Sequence, residues 1–173
     1  MALKKALAVL LVSVISLTAL FSCKKNKPIE GSEVGNLCPT YNLEKLGGGT
    51  DNVKKYRGKT VVIHFWGVWA GDLSAIDSIA TDYKDSVKVI AIHTDHERIK
   101  APDYIKAHHA NSEIIFLYDE RDGKREDKYY TMLGGTDAYP RTVILNSDGV
   151  ITYVWDGALT YDELKMAIED AKK

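Results

Sequence analysis

The feature that most constrains this fold is a run of apolar, β-branched and aromatic residues with almost no polar interruption, TVVIHFW at positions 60–66. A strand with one face in water alternates apolar and polar residues, so a near-continuous run predicts a strand covered on both faces. Similar runs follow at 87–92, 114–118 and 141–145. The first run belongs at the centre of a sheet that has packed elements on both sides.

Helical patterns alternate with these apolar runs. Segment 72–83 places Leu73, Ile76 and Ile79 on one apolar stripe, and Asp72 can cap its start. Three further helical segments are predicted, at 102–110, 126–133 and 161–171. An alternation of strands and helices predicts an α/β sandwich, in which helices cover a sheet.

The last third of the chain carries two sharper local signals. NSDG at 146–149 separates two β runs and predicts a hairpin turn, in which Gly149 can take a positive φ. Thr160, with Glu163 three residues later, forms a capping box that opens the last helix. Because a hairpin adds antiparallel pairing, the sheet is predicted to be mixed.

The N-terminal segment has the pattern of a targeting signal. Lys4 and Lys5 precede an apolar stretch at 6–21, which at about 1.5 Å per residue spans roughly 24 Å and falls short of the roughly 30 Å hydrocarbon core. The stretch ends in LFSC at 20–23, which resembles the lipobox of bacterial lipoproteins, whose cysteine is diacylated and becomes the new N-terminus. The predicted division is a signal peptide at 1–22, a lipidated tether at 23–35 and a domain at 36–173.

Lipidation of Cys23 implies a protein of the bacterial cell envelope, anchored to a membrane and facing the periplasm or the exterior. Several acyl chains on one cysteine anchor a protein stably, whereas a single chain binds only marginally. The alternative is an uncleaved anchor or a plain signal peptide, with Cys23 as an incidental thiol.

Composition narrows the function classes. The formal net charge is −1, with 23 Lys+Arg against 24 Asp+Glu, so the chain lacks the basic excess that a nucleic-acid partner requires. The two cysteines, Cys23 and Cys38, are too few for a disulfide scaffold. The domain must therefore be stabilised by a packed core.

Three segments resemble one known family. FWGVWAGDL at 65–73 is similar to the F-W-x-x-W-C-x-x-C junction between the central strand and the next helix of thioredoxin-fold proteins. AYP at 138–140 resembles their cis-proline loop. NLCPTYNL at 36–43 resembles the opening of TlpA and ResA proteins, the membrane-tethered thiol-disulfide oxidoreductases of bacterial envelopes. The resemblance implies a thioredoxin-like three-layer α/β/α sandwich with a mixed central sheet.

The catalytic pair of that family is missing from this sequence. Aligning Trp69 with the family tryptophan puts Ala70 at the position of the nucleophilic cysteine and Leu73 at that of the resolving cysteine. Thiol-disulfide exchange needs a thiolate of lowered pKa and a second thiol that releases the mixed disulfide. Alanine and leucine supply neither, so no catalytic residue is predicted and the sequence favours a protein without this enzyme activity.

The surface that the family uses to hold polypeptides is predicted to remain. It would comprise Trp69, Ala70, Gly71, Asp72, Tyr139 and Pro140. Peptide-binding surfaces use exposed aromatic side chains, and the family pairs an extended substrate beside the proline. The predicted function is therefore redox-inactive binding of an envelope protein or an extended peptide. Plain packing of Trp69 and Tyr139, and a helix cap at Asp72, are the structural alternatives.

Two alternatives keep a chemical role for the chain. Cys38 could serve a thiol-disulfide oxidoreductase that uses a partner thiol, although its place before Pro39 favours a small packed side chain. His93, Asp95 and His96 follow a strand at the carboxyl end of the sheet and could hold a divalent ion. A solvated loop is the favoured interpretation of these three residues, and neither a metal nor another cofactor is predicted.

The other histidines in the domain are assigned structural positions. His64, inside the central strand, is predicted to be a hydrogen-bonded core residue. His108 and His109 end a short helix, where a partial positive charge suits the helix dipole, and both are predicted to lie on the surface.

The lipobox resemblance predicts that Cys23 carries acyl chains. Changing Cys23→Ser should leave the chain unlipidated and move it from the detergent phase to the aqueous phase of a detergent phase separation, because the acyl chains supply the membrane affinity. Intact mass measures the acyl groups directly. Wild-type chain without acyl mass on Cys23 would show that the lipoprotein prediction is wrong.

Overall fold

The computed structural model describes residues 27–70, 73–94, 98–119, 128–136 and 138–173. The predicted signal peptide and Cys23 lie outside these residues. These residues contain seven strands: β1 (Leu43–Lys45), β2 (Thr50–Asp51), β3 (Thr60–Trp66), β4 (Val87–His93), β5 (Ile115–Tyr118), β6 (Arg141–Leu145) and β7 (Ile151–Asp156). Within the described ranges, no helix has the length and apolar character needed to cross a membrane.

The strands form one mixed sheet in the order β2-β1-β5-β4-β3-β6-β7. β3 pairs in parallel with β4, and β4 with β5, whereas β6 runs antiparallel to both β3 and β7. In the register, Ile63 lies between Ile90 of β4 and Val143 of β6. All seven residues of β3 are buried, which confirms the predicted central strand.

The described helices are α1 (Ser74–Asp82), α2 (Ala101–His108), α3 (Lys128–Met132) and α4 (Tyr161–Ala171), with short 3-10 turns at Val53–Tyr56 and Arg98–Lys100. α1 begins later than predicted, with Leu73 in its N-cap position. The predicted cap, Asp72, lies outside the described residues. α4 opens with the predicted capping box, in which the N–H of Glu163 donates to the Thr160 hydroxyl at 3.3 Å.

Side chains that alternate along β3 enter two different cores. Val62 packs in one core with Ile79 of α1 and Ile168 of α4. Its neighbour Ile63 packs in the other core with Tyr129 of α3. Each fully buried side chain of this kind contributes about 1.5–3 kcal/mol of transfer free energy. The two cores, one on each face of the sheet, produce the predicted three-layer α/β/α sandwich.

The sequence analysis missed β1 and β2. These strands are 3 and 2 residues long, which is too short to show an apolar period. The turn between them contains Gly47, Gly48 and Gly49, all with positive φ, a conformation that favours glycine. β1 then pairs antiparallel with β5 and extends the sheet on that side.

His64 is a hydrogen-bonded core residue, as predicted. It is buried within β3, and its Nδ1 lies 3.0 Å from the hydroxyl of Thr142 on β6. Burial disfavours the charged imidazolium and lowers the pKa of His64 from 6.5 to about 4.

The lowered pKa of His64 predicts that acid reduces the free energy of unfolding. Between about pH 6.5 and pH 4 the unfolded His64 binds a proton that the folded residue does not. The free energy of unfolding should therefore fall as the pH drops through this window, by up to about 1.4 kcal/mol per pH unit. Urea unfolding between pH 4 and pH 6.5 measures this change in free energy. His64→Phe should lose the part of the pH dependence that His64 causes. An unchanged pH dependence in the variant would contradict the assignment of this effect to His64.

Candidate functional site

The candidate site begins where β3 ends. The carbonyl of Trp66, the last strand residue, accepts hydrogen bonds from the N–H and the hydroxyl of Thr94, at 3.0 and 3.3 Å. The chain then turns, and the N–H of Ala70 donates to the carbonyl of Gly67 at 2.9 Å. Trp69 lies in this turn with 61% of its surface exposed. The end of the central strand thus presents a large aromatic side chain to solvent.

A proline loop precedes β6. The Tyr139–Pro140 peptide bond is cis, as the family resemblance implied. The carbonyl of Pro140 accepts a hydrogen bond from the N–H of Gly157 at 2.7 Å, and the guanidinium of Arg141 donates to the carboxylate of Asp156. These contacts attach the loop to the end of β7.

Aromatic contacts join the turn after β3 to the proline loop. The ring centroids of Trp69 and Tyr139 lie 5.5 Å apart with their planes at 81°, a favourable edge-to-face arrangement. Tyr139 in turn stacks on Tyr130 of α3, with centroids 4.6 Å apart and planes at 15°. We call these three residues the aromatic stack. The structure therefore brings together Trp69 and Tyr139, which the sequence analysis placed at one surface.

Tyr130 is the member of the aromatic stack that sequence reasoning missed. Its ring contacts Phe65 of β3 edge to face at 5.3 Å, and its hydroxyl donates to the carbonyl of Ala138 at 2.6 Å. Gly135 makes room for this ring, since a Cβ at that position would lie 2.5 Å from it. The available signal in the sequence was the pair Gly134–Gly135 directly after a helix.

The structure describes both residues that the sequence analysis aligned with the family's cysteines, Ala70 and Leu73. Leu73 is 1% exposed and packs in the core with Ile76 and Ile79 of α1. Ala70 is half-buried in the turn. Neither side chain can attack a disulfide. Gly71 and Asp72, which were also predicted to belong to this surface, lie outside the described residues.

Cys38 lies away from this surface. It is 1% exposed, and its Sγ is 3.4 Å from the hydroxyl of Tyr129, which donates to the carbonyl of Pro39. Its N–H donates to Gly149 at the hairpin turn. That turn is at the opposite end of β6 from Pro140, roughly 13 Å away for four strand steps. Burial raises the pKa of the thiol to about 11, so the structure supports the packed-residue interpretation and disfavours a reactive thiolate.

The proposed metal cluster is described only in part. His93 ends β4 and is 3% exposed, with its ring edge to face with Trp66 at 5.0 Å. Asp95 and His96 lie outside the described residues. Among the residues that the structure describes, no group of three or more His, Cys, Asp and Glu side chains is placed to hold a metal ion.

The prediction of a surface position is wrong for His109, although His108 is exposed. His109 follows the last residue of α2 and is 8% exposed. Its Nδ1 lies 3.0 Å from a carboxylate oxygen of Asp77. His109 lies among Asp77 of α1, Tyr104 of α2 and Phe116 of β5, which bury its ring, whereas His108 remains in solvent.

A mixed sheet between helical layers, with an aromatic turn after the central strand facing a cis-proline loop, defines a thioredoxin-like protein. The Redoxin family model matches residues 33–167, and the chain belongs to this family, with relatives of the ResA type. It is 25% identical over 175 residues to the thioredoxin-like protein YneN of Bacillus subtilis, covering 96% of this chain and 98% of that protein. It is 22% identical over 144 residues to the thiol-disulfide oxidoreductase ResA of Geobacillus thermodenitrificans, covering 80% and 78%.

Solved structures show the same fold. A DsbF homologue from Corynebacterium diphtheriae superposes with a TM-score of 0.68 at 20% identity, covering 87% of this chain and 97% of that one. The exposed lipoprotein thioredoxin Etrx1 of Streptococcus pneumoniae gives a TM-score of 0.64 at 18% identity, covering 76% and 99%. The thioredoxin-like α/β sandwich predicted from the sequence is thereby confirmed.

Proposed function

We propose that this protein is a redox-inactive, polypeptide-binding module of the bacterial cell envelope. One observation carries the proposal: the aromatic stack and the cis-proline loop are assembled, while Ala70 and Leu73 stand at the positions of the cysteine pair. The assembled surface can still contact a polypeptide. Alanine and leucine at the two positions remove the thiols that disulfide exchange requires.

The loss of chemistry follows from what thiol-disulfide exchange requires. A thiolate must attack one sulfur of the substrate disulfide, and a second thiol must then release the mixed disulfide. Ala70 cannot form that bond and Leu73 cannot resolve it. Cys38, with its pKa raised to about 11, is almost entirely protonated at neutral pH.

Recognition is supported by the packing that holds Trp69, the exposed member of the aromatic stack. Trp69 is held against Tyr139, and Tyr139 rests on Tyr130, whose hydroxyl is bonded to the backbone of the proline loop. Because these rings are ordered before a partner arrives, little conformational entropy is lost when one binds. An extended polypeptide that crosses the cis-proline loop would contact the exposed ring of Trp69.

The position of the predicted tether supports an orientation for this surface. The N–H of Leu37 donates to Ile29 at 2.8 Å, and the N–H of Gly35 donates to Ile151 at 2.8 Å, so residues 29–37 are attached at the start of β7. Pro140 lies at the opposite end of the sheet. Cys23 is six residues from Ile29, a reach of roughly 20 Å at full extension. Lipidation there would place the aromatic stack on the side away from the membrane.

The proposal predicts that the chain binds an unfolded polypeptide that has no reactive thiols. Reduced, carboxymethylated lactalbumin with a fluorescent label is a suitable probe, and anisotropy measures its binding. Trp69→Ala should weaken binding by about tenfold or more, because buried aromatic anchors dominate such interfaces. Trp69 is exposed in the free protein, so its removal spares the core.

Met166→Ala is the matched control, since Met166 is an exposed apolar side chain on α4, with 63% of its surface accessible. It should bind the probe as the wild type does. Equal loss in both variants, or no saturable binding by the wild type, would contradict the proposal.

A further inference from the structure

We propose that His108 and His109 form a binding site for a divalent transition-metal ion such as Cu²⁺ or Zn²⁺. The site is a groove of about 490 Å³ between α1 and α2, lined by both histidines and by Asp77 and Asp82. It is separate from the aromatic stack and plays no part in the proposed polypeptide binding. Four arguments support the assignment: the tautomer of His109, its fixed position, the exposed second imidazole of the neighbouring His108, and the charge of the groove.

Asp77 fixes the tautomer of His109. A carboxylate only accepts hydrogen bonds, so the Nδ1 of His109, 3.0 Å from Asp77, must carry the proton of the neutral ring. The lone pair is then on Nε2. Asp77 is itself held, because the Ser112 hydroxyl donates to its other oxygen and accepts from the N–H of Ile114 at 3.1 Å. Protein histidines that ligate metals almost always donate their second ring N–H to such an acceptor.

Packing fixes the position of the same ring. His109 is 8% exposed, and its ring centroid lies 6.0 Å from that of Tyr104 and 6.3 Å from that of Phe116. His109 is among the residues that line the groove. With Nδ1 bound to Asp77, Nε2 is the ring nitrogen left for a ligand.

His108 supplies the second imidazole. Its ring is exposed, and its centroid lies 6.4 Å from that of His109. A Zn–N bond of about 2.0–2.1 Å places the centre of a ligating ring about 3.2 Å from the ion, so two rings that share an ion have centres at most about 6.4 Å apart. Tetrahedral coordination brings the two ring centres to about 5.2 Å. The observed spacing is longer, so His108, whose ring lies 4.7 Å from that of Tyr104, has to take another rotamer to share an ion with His109.

The charge of the groove favours a cation. The carboxylates of Asp77 and Asp82 line the groove, and among the described residues no Lys or Arg lines it. Two imidazoles prefer copper, nickel or zinc over calcium or magnesium, which take oxygen ligands. Because the described residues provide no group of three protein ligands, water completes the coordination of the ion.

Competition of the purified full chain against a chromophoric chelator, titrated with CuCl₂ and then ZnCl₂, tests the site. We expect one ion per chain, with Cu²⁺ bound more tightly than Zn²⁺. His108→Asn and Asp77→Asn should each weaken binding by about tenfold or more. Asp103→Asn removes an exposed carboxylate of α2 outside the groove and should leave the affinity unchanged.

His108 is exposed, so its substitution keeps the fold and the test does not depend on the stability of the buried network. An affinity that His108→Asn leaves unchanged would overturn the proposal, as would the absence of any bound ion. Loss of the ion in His96→Asn, with His108→Asn unaffected, would place it at the His93–His96 segment and also overturn the proposal.

Discussion

The burial of β3 on both faces is the constraint on which the rest of the structure depends. Every residue from Thr60 to Trp66 is buried, and neighbouring strands pair with both edges. A strand of this composition can exist in water only if helices cover each face of the sheet. The two cores, the positions of α1, α3 and α4, and the mixed sheet all satisfy that requirement.

The same strand also fixes the position of the candidate site. Where β3 ends, the chain must leave the sheet, and the turn that contains Trp69 and Ala70 follows directly. β6 runs antiparallel to β3, so its start, at the cis-proline loop, lies beside the end of β3. Neither feature depends on a cysteine at position 70 or 73. Leu73 adds an apolar side chain to the core at the start of α1, and the surface beside it is assembled without a thiol there.

Long apolar runs made most of the fold predictable. β3 and β6 have the predicted bounds, because their burial on both faces leaves an uninterrupted signal in the sequence. β1 and β2 were missed because they are very short strands at one side of the sheet, held by pairing and a glycine turn. The start of α1 was predicted too early. Leu73 continues the apolar stripe of the helix in the sequence, but in the structure it is the N-cap residue and the helix begins at Ser74.

The candidate site was predictable only where local motifs define it. Trp69, Tyr139 and Pro140 lie in motifs that resemble a known family. Tyr130 reaches the site from α3 through tertiary packing, for which the pair Gly134–Gly135 is the one local signal. The burial of His109 also results from tertiary packing. The sequence indicates that the two histidines end a helix, where the dipole favours them, but it does not indicate which side chains will pack against them.

The claim that this domain keeps the fold without the redox chemistry is tested most directly by insulin reduction with dithiothreitol. The wild-type chain should match the uncatalysed control. The double variant Ala70→Cys, Leu73→Cys should form an intramolecular disulfide and gain activity, because the thiol at position 73 would lie at the N-cap of α1, where amide donors and the helix dipole lower a thiol pKa. Wild-type turnover that Cys38→Ser abolishes would contradict the claim, and a double variant that forms no intramolecular disulfide would contradict the placement of the two positions.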